Sequence, residues 1–387
     1  MPIAIRSFAK INLGLKIGPP RADGFHELRT IYQTIALHDV VRVEVVEGEG
    51  IEIRCEDARV PCDATNTCWK IAERVMGLVS RGLKSAREIR KADVDGTAKA
   101  VPFQDEGEAD CRPEGVLHRR RKVVITIEKN LPVQGGMGAA SSNAVAAMLG
   151  LEHELGVEIA PQEKLRIAAE VGSDLPLFLI GGTVLGVDRG QEVYGLQDLP
   201  EIPLVVVTPP VGVSTPHAFK RWDVLVELGQ ITGMMQDAGY DMGEYALTTP
   251  PVPSTIKEFD QAVYAWLSKS FSSRAVCAEP ASGVPAAGGD RAETPLLDRV
   301  RTGIENDFER VVFPENPELR EVKNVLQREG ARYASLSGSG STLYGLFDSA
   351  NAAEAAAERL RGAGHVALAT RTVGRAEYWR ELFAPGD

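Results

Sequence analysis

The chain has 387 residues, more than one ordinary core requires, and its 44% hydrophobic and 25% charged residues are typical of a soluble globular protein. A net charge of -11 argues against nucleic-acid binding, but a local group of Lys and main-chain donors can still hold a small anion. No apolar run approaches the roughly 20 residues of a membrane helix. The amino terminus lacks a basic leader followed by a long apolar stretch. The five cysteines, Cys55, Cys62, Cys68, Cys111 and Cys277, contain no C-x-x-C pair. Reduced thiols in the cytoplasm are therefore expected.

The opening, IAIRSFAKINLGLKI, mixes β-branched and small residues and predicts extended chain. PPRADGFHEL follows as a loop, with Pro-Pro and Asp-Gly as turn signals. Residues 40–46 and 51–54 alternate like paired strands, and the apolar spacing from Asn66 to about Gly82 predicts a helix. From about Lys84 to Lys122 the chain is charged and poor in large apolar residues. Its HRRRK run predicts a solvated surface loop, because acidic residues lie nearby and aromatic partners do not. VVITIEKN (123–130) predicts a strand, with a helix at Ser141–Leu155 capped by Ser141 or Ser142. A second helix is expected at Pro161–Val171, and strands at 183–187 and 203–208. The segment from about 229 to 301 predicts an insertion with a linker-like middle, ASGVPAAGGD. Then come a helix near 317–329, a strand entering SLSGSGSTLYGLF, a helix at about 351–361 and a strand near 366–372. Alternating strands and helices imply an α+β or α/β protein.

Between a strand and a helix lies PVQGGMGAASSNA (132–144), a run of small residues that lets main chain approach a ligand closely. It carries no Lys where a P-loop requires one and no third Gly for a dinucleotide fingerprint. A phosphate cradle and a turn that merely packs a helix near a sheet fit almost equally well. Two other stretches bear on the choice. SFAKINLGL sets Lys10 among small and apolar neighbours, as a site residue or as a strand-edge surface Lys. GSDLPLF places Asp174 before Leu-Pro, as a catalytic carboxylate or as a plain helix N-cap. LSGSGSTLYG (336–345) is another glycine-rich turn, readable as a tight hairpin.

FAKINLGL, PVQGGMGAASSNA and SGSGS, in that order, resemble the three motifs of the GHMP kinase superfamily. ADGFHEL, GSDLPLF and NDFERVVFPENPEL resemble the branch acting on a cytidine-diphosphate-linked methylerythritol. The resemblance covers about 6–76, 123–222 and 305–347. It implies a two-domain α+β fold: a ribosomal protein S5 domain 2-like N-terminal domain at 1–188 and a ferredoxin-like C-terminal domain at 189–387. The stretches at about 81–121 and 230–303 would be insertions that the family does not lead one to expect.

The resemblance also implies roles. ATP, with Mg²⁺, would be wrapped by Pro132, Val133, Gln134, Gly135, Gly136, Met137, Gly138, Ala139, Ala140, Ser141 and Ser142. Ser142 is the loop residue read as a contact to the metal, and no paired carboxylates announce a protein-held metal site. Asp174 would take the proton from the attacking 2-hydroxyl, and Lys10 would hold that carboxylate ionised. Phe25 and Phe219 would sandwich the cytosine, His26 would bond its edge, and Asn12 would line the same pocket. This family often carries Gly at the positions of Ala139 and Ala140, and Ala opposes positive φ there. Another GHMP kinase of the mevalonate or homoserine type, and a catalytically inactive regulatory module, are the competing expectations. The partners expected are small molecules, with no nucleic acid and no membrane, acting on a monomer or homodimer.

Overall fold

Two long β-strands, β1 (Ile3–Pro20) and β2 (His26–Glu47), form the antiparallel spine of the protein. In this computed structural model the structure describes residues 2–80, 121–133, 135–229 and 305–383. Both expected insertions lie almost wholly outside the described residues, as does Gln134.

β2 is far longer than the alternation at 40–46 predicts. It pairs with β1, β4 (Arg121–Glu128) and β5 (Thr183–Val187), and its middle, Ile31 to Ile35, is buried throughout. A strand covered on both faces has no reason to alternate polar and apolar residues. β3 (Gly50–Cys55) pairs parallel to β4, and β6 (Glu192–Gly195) closes the other edge of this six-stranded sheet. The sheet therefore runs on past residue 188.

One face of the sheet carries α1 (Thr67–Ser80), α2 (Ala139–Leu155), α3 (Pro161–Val171) and the short α4 (Leu175–Phe178). Their core gathers Ile5, Val43, Ile71, Ile125, Met148 and Phe178. The second sheet, ordered β10-β7-β9-β8, is antiparallel. It consists of β7 (Pro203–Val207), β8 (Tyr333–Leu336), β9 (Leu343–Leu346) and β10 (Ala367–Arg371). α5 (Thr215–Glu227), α6 (Glu309–Glu315), α7 (Pro317–Arg328) and α8 (Ala350–Gly362) contribute to its outer core, around Val205, Trp222, Leu326 and Leu360. The last helix, α9 (Arg375–Leu382), returns to the first core through Tyr378 and Leu382.

A third core joins the sheets, with Ile11, Ile31 and Ile35 packed against Leu204, Val206 and Tyr344. β1 supplies all three cores. A register shift between Phe8 and Ala9 turns the strand. Beyond it Ala9, Ile11 and Leu13 face the second sheet, while the intervening Lys10 and Asn12 point the other way. Among the described residues no helix is long and apolar enough to cross a membrane.

Candidate active site

The small-residue loop is held from beneath by one buried carboxylate. Asp39, fully buried on β2, accepts hydrogen bonds from Lys129 Nζ, Asn130 N and Leu131 N, each at 2.7 Å, and from Asn143 Nδ2 at 3.0 Å. Ser7 donates to Asn143 Oδ1 at 2.6 Å, and its Oγ lies 2.7 Å from Ser142 Oγ. Ser142 is thereby turned inward and buried, away from the cavity that the loop lines. This geometry does not support the expected contact of Ser142 with a metal. The serines do not cap α2 either: Gly138, at φ 69°, is the N-cap, and the helix begins at Ala139. Ala139 and Ala140 occupy ordinary helical backbone, so alanine is unstrained there.

The glycines answer to a second loop. A Cβ on Gly136, whose φ is +76°, would lie 2.2 Å from the Ser337 carbonyl oxygen, and one on Gly135 would lie 2.7 Å from Thr342 Oγ1. Ser337 Oγ donates to Gly136 O at 3.0 Å and Thr342 N to Gly135 O at 3.2 Å. Asn306 Nδ2 fixes that second turn by donating to Leu336 O and Gly338 O, each at 2.8 Å. The SGSGS segment is thus a brace behind the loop.

In front lies a cavity of about 320 Å³, bounded by Pro132, Val133, Gly135–Ser141 and, on the far side, Arg59–Pro61 and Thr65–Thr67. That far wall carries no signal in the sequence. A larger cavity of about 750 Å³, near Glu309, Arg320 and Tyr333, shares no lining residue with the loop.

Lys10 N donates to Met137 O at 3.0 Å, which ties β1 to the loop. Lys10 Nζ donates to Asn12 Oδ1 at 2.6 Å and stands 3.5 Å from Asp174 Oδ2. The lysine side chain is 3% exposed and the aspartate 35%, so solvent reaches this pair only through the carboxylate. Burial pushes the Lys10 ammonium below its ordinary pKa, while the neighbouring Asp174 charge pulls it back up. Asp174 stands at the N-cap of α4 without making a capping bond. Its Oδ1 instead accepts from Tyr32 Oη at 3.0 Å. Burial, reinforced by the Asp174 charge, holds the Tyr32 phenol well above its usual pKa, so it stays a neutral donor. Asn12 Nδ2 donates to Thr30 Oγ1 at 2.6 Å, which orients the amide that holds the lysine. Tyr32 and Thr30 escape sequence reasoning because a strand buried on both faces gives no hint of which side chains meet a site.

At the aromatic end the rings of the expected sandwich have separate protein partners. His26 stacks on Phe219, with centroids 4.8 Å apart and planes 13° apart, and Phe308 meets Phe219 edge-on at 5.0 Å. Phe25 is 52% exposed and packs under the Arg189 guanidinium. Phe25 and His26 part where β2 begins. His26 pairs with Pro20 in the ladder, whereas Phe25 belongs to the turn, where its N donates to Asp23 Oδ1. Asp223 Oδ1 lies 2.7 Å from His26 Nε2. Its one sequence signal is its place four residues after Phe219 on α5.

The fold and this arrangement of loop, amine and carboxylate define a small-molecule kinase of the GHMP type. The family model described as GHMP kinases N terminal domain matches residues 110–182, and the one described as GHMP kinases C terminal matches 294–366. A 4-diphosphocytidyl-2-C-methyl-D-erythritol kinase of Nocardia farcinica is 30% identical over 372 residues, covering 96% of this chain and 93% of that protein. One of Acaryochloris marina is 28% identical over 360 residues, covering 93% and 91%. The chain belongs to the 4-diphosphocytidyl-2-C-methyl-D-erythritol kinase family. Among solved structures, a 4-(cytidine 5'-diphospho)-2C-methyl-D-erythritol kinase shares the fold with a TM-score of 0.60 at 23% identity, covering 96% of this chain and all of that one. An L. major mevalonate kinase in complex with R-mevalonate does so with a TM-score of 0.58 at 14% identity, covering 96% of each.

Proposed function

We propose that this chain transfers a phosphoryl group from ATP to the 2-hydroxyl of 4-diphosphocytidyl-2-C-methyl-D-erythritol, a step in making isoprenoid precursors without mevalonate. The observation that carries this reading is the meeting of Lys10 and Asp174 where Lys10 N is bonded to Met137 O of the loop. An alcohol is a poor nucleophile at neutral pH, and a placed carboxylate that removes its proton accelerates transfer by roughly 10²–10⁴-fold. Asp174 Oδ2 is the oxygen for that task, because Oδ1 is engaged by Tyr32. Lys10, 3.5 Å from that oxygen, stabilises the alkoxide as it forms.

The triphosphate would lie along the main-chain donors of residues 135–141 at the positive end of α2, with its base toward Val60, Pro61 and Asn66. Those N–H groups and the Ser141 hydroxyl suit phosphate oxygens, and Mg²⁺ would arrive with ATP to neutralise phosphate charge. Among the described residues no three His, Cys, Asp or Glu side chains form a metal cluster. At the other end Phe219 and Phe25 offer ring faces to a pyrimidine, and His26 with Asp223 offers a polar edge.

A coupled assay tests the proposal by offering ATP-Mg²⁺ with the cytidylyl substrate, mevalonate or homoserine. Turnover of the first alone, abolished in Lys10→Ala and reduced at least a hundredfold in Asp174→Asn, is expected. Turnover of mevalonate or homoserine without the cytidylyl compound would overturn it.

A further inference from the structure

Arg189, in the turn after β5, has one guanidinium donor without a partner. Its guanidinium lies 4.9 Å from the centroid of the Phe25 ring, and its Nε is buried with no hydrogen-bond partner among the described residues. The nearest carboxylate in sequence, Asp188, is occupied by Arg21 and by the Gln191 amide. Arg189 forms no ion pair at contact distance among the described residues; the Phe25 N–H, with the charges of Arg21 and more weakly Arg189, holds the exposed Asp23 carboxyl below its ordinary pKa. A buried donor left unpaired is unfavourable, and an acceptor such as an anion's oxygen would relieve it.

The position narrows which anion. The next residue, Gly190, abuts the reacting end: a Cβ there would lie 2.6 Å from Tyr32 Oη, the hydroxyl that holds Asp174. In the other direction Phe25 adjoins His26, which stacks on Phe219. Arg189 is thus connected through Gly190 to the end at Asp174 and through Phe25 to the end at Phe219.

We propose that Arg189 binds the diphosphate bridge of the cytidylyl substrate and so positions the alcohol for transfer, a role that rests on the substrate reading above. The bridge is a dianion, and a guanidinium presents paired N–H donors that match phosphate oxygens. In the free protein the ring of Phe25 shelters that charge; with substrate bound, the phosphates take over.

The test measures binding of cytidine, cytidine diphosphate and ATP by calorimetry to the whole chain and to its Arg189→Gln and Arg189→Lys variants. In Arg189→Gln the Kd for cytidine diphosphate should rise about 10- to 100-fold, with the Kd values for cytidine and ATP unchanged. Arg189→Lys should recover part of the loss, because it keeps the charge without the fork. In turnover, Arg189→Gln should raise KM for the cytidylyl substrate more than it lowers kcat. An unchanged diphosphate affinity, or equal loss of cytidine and its diphosphate, would overturn the proposal and reduce Arg189 to a packing partner of Phe25. Failure of the unsubstituted protein to bind either cytidine compound while still binding ATP would instead overturn the substrate reading, and the role of Arg189 with it.

Discussion

Tyr32 donates to one oxygen of Asp174 at 3.0 Å, which makes the two oxygens of that carboxylate unequal. The other, Oδ2, faces Lys10 at 3.5 Å and is the proton acceptor in the proposed mechanism. Asp174→Asn should lower kcat by about 10²–10⁴-fold with little change in KM for ATP. Tyr32→Phe keeps the carboxylate and loses only its orientation, so a fall of about tenfold is expected. Single-turnover rates under saturating ATP separate these effects from product release. Equal losses in the two variants would mean that Tyr32 does more than orient.

In the proposed mechanism Lys10 acts as a cation, and burial lowers its pKa from the ordinary 10.5. A lowered pKa means that the ammonium loses its proton at a lower pH than a free lysine would. Rate should therefore decline on the alkaline side before pH 10.5 is reached. In Lys10→Arg that limb should vanish from the accessible range, since a guanidinium stays protonated, though with a reduced maximum rate from altered geometry. The kcat–pH profiles of the two proteins check this.

Gly136 and Ala139 make a matched pair of substitutions. Gly136→Ala places a methyl group against the Ser337 carbonyl in left-handed backbone. It should cost about 2–4 kcal/mol of stability and weaken ATP binding by displacing both loops. Ala139→Gly should leave ATP affinity within about twofold while costing about 1 kcal/mol, since Ala139 sits in the first turn of α2. Calorimetric Tm values with nucleotide titrations distinguish the two.

Phe219→Ala removes the ring on which His26 stacks. Affinity for the cytidylyl substrate should fall by about 10- to 100-fold, the usual loss for a base-stacking aromatic, with ATP affinity retained. Equal weakening of both ligands would count against a base site at Phe219.

What the sequence conveys and what it hides divide along physical lines. Lys10 and Asp174 are 164 positions apart, and only the order of the motifs hints that they meet; nothing local does. The helices at 161–171 and 317–328 are legible because each buries one stripe and starts with proline. β2 is not legible, because the helix-side core on one face and the second sheet on the other erase its alternation. The glycines are legible as a need for closeness, but the sequence cannot say that Ser337 and Thr342, as well as a ligand, come close. Asp39 and Asp223 read as ordinary acidic residues; only the fold brings main-chain donors to one and a histidine to the other.

The return of α9 to the first sheet constrains how this chain is made. Tyr378 is buried against Phe8 and donates to the Phe178 carbonyl at 2.7 Å, and Trp379 Nε1 donates to Ile180 O at 2.9 Å. On the ribosome, then, the amino-terminal half emerges well before the side chains that seal it and waits with an open seam. Fragments cut between the two sheets would inherit that seam. The halves are better regarded as successive stages of one assembly than as modules to be exchanged.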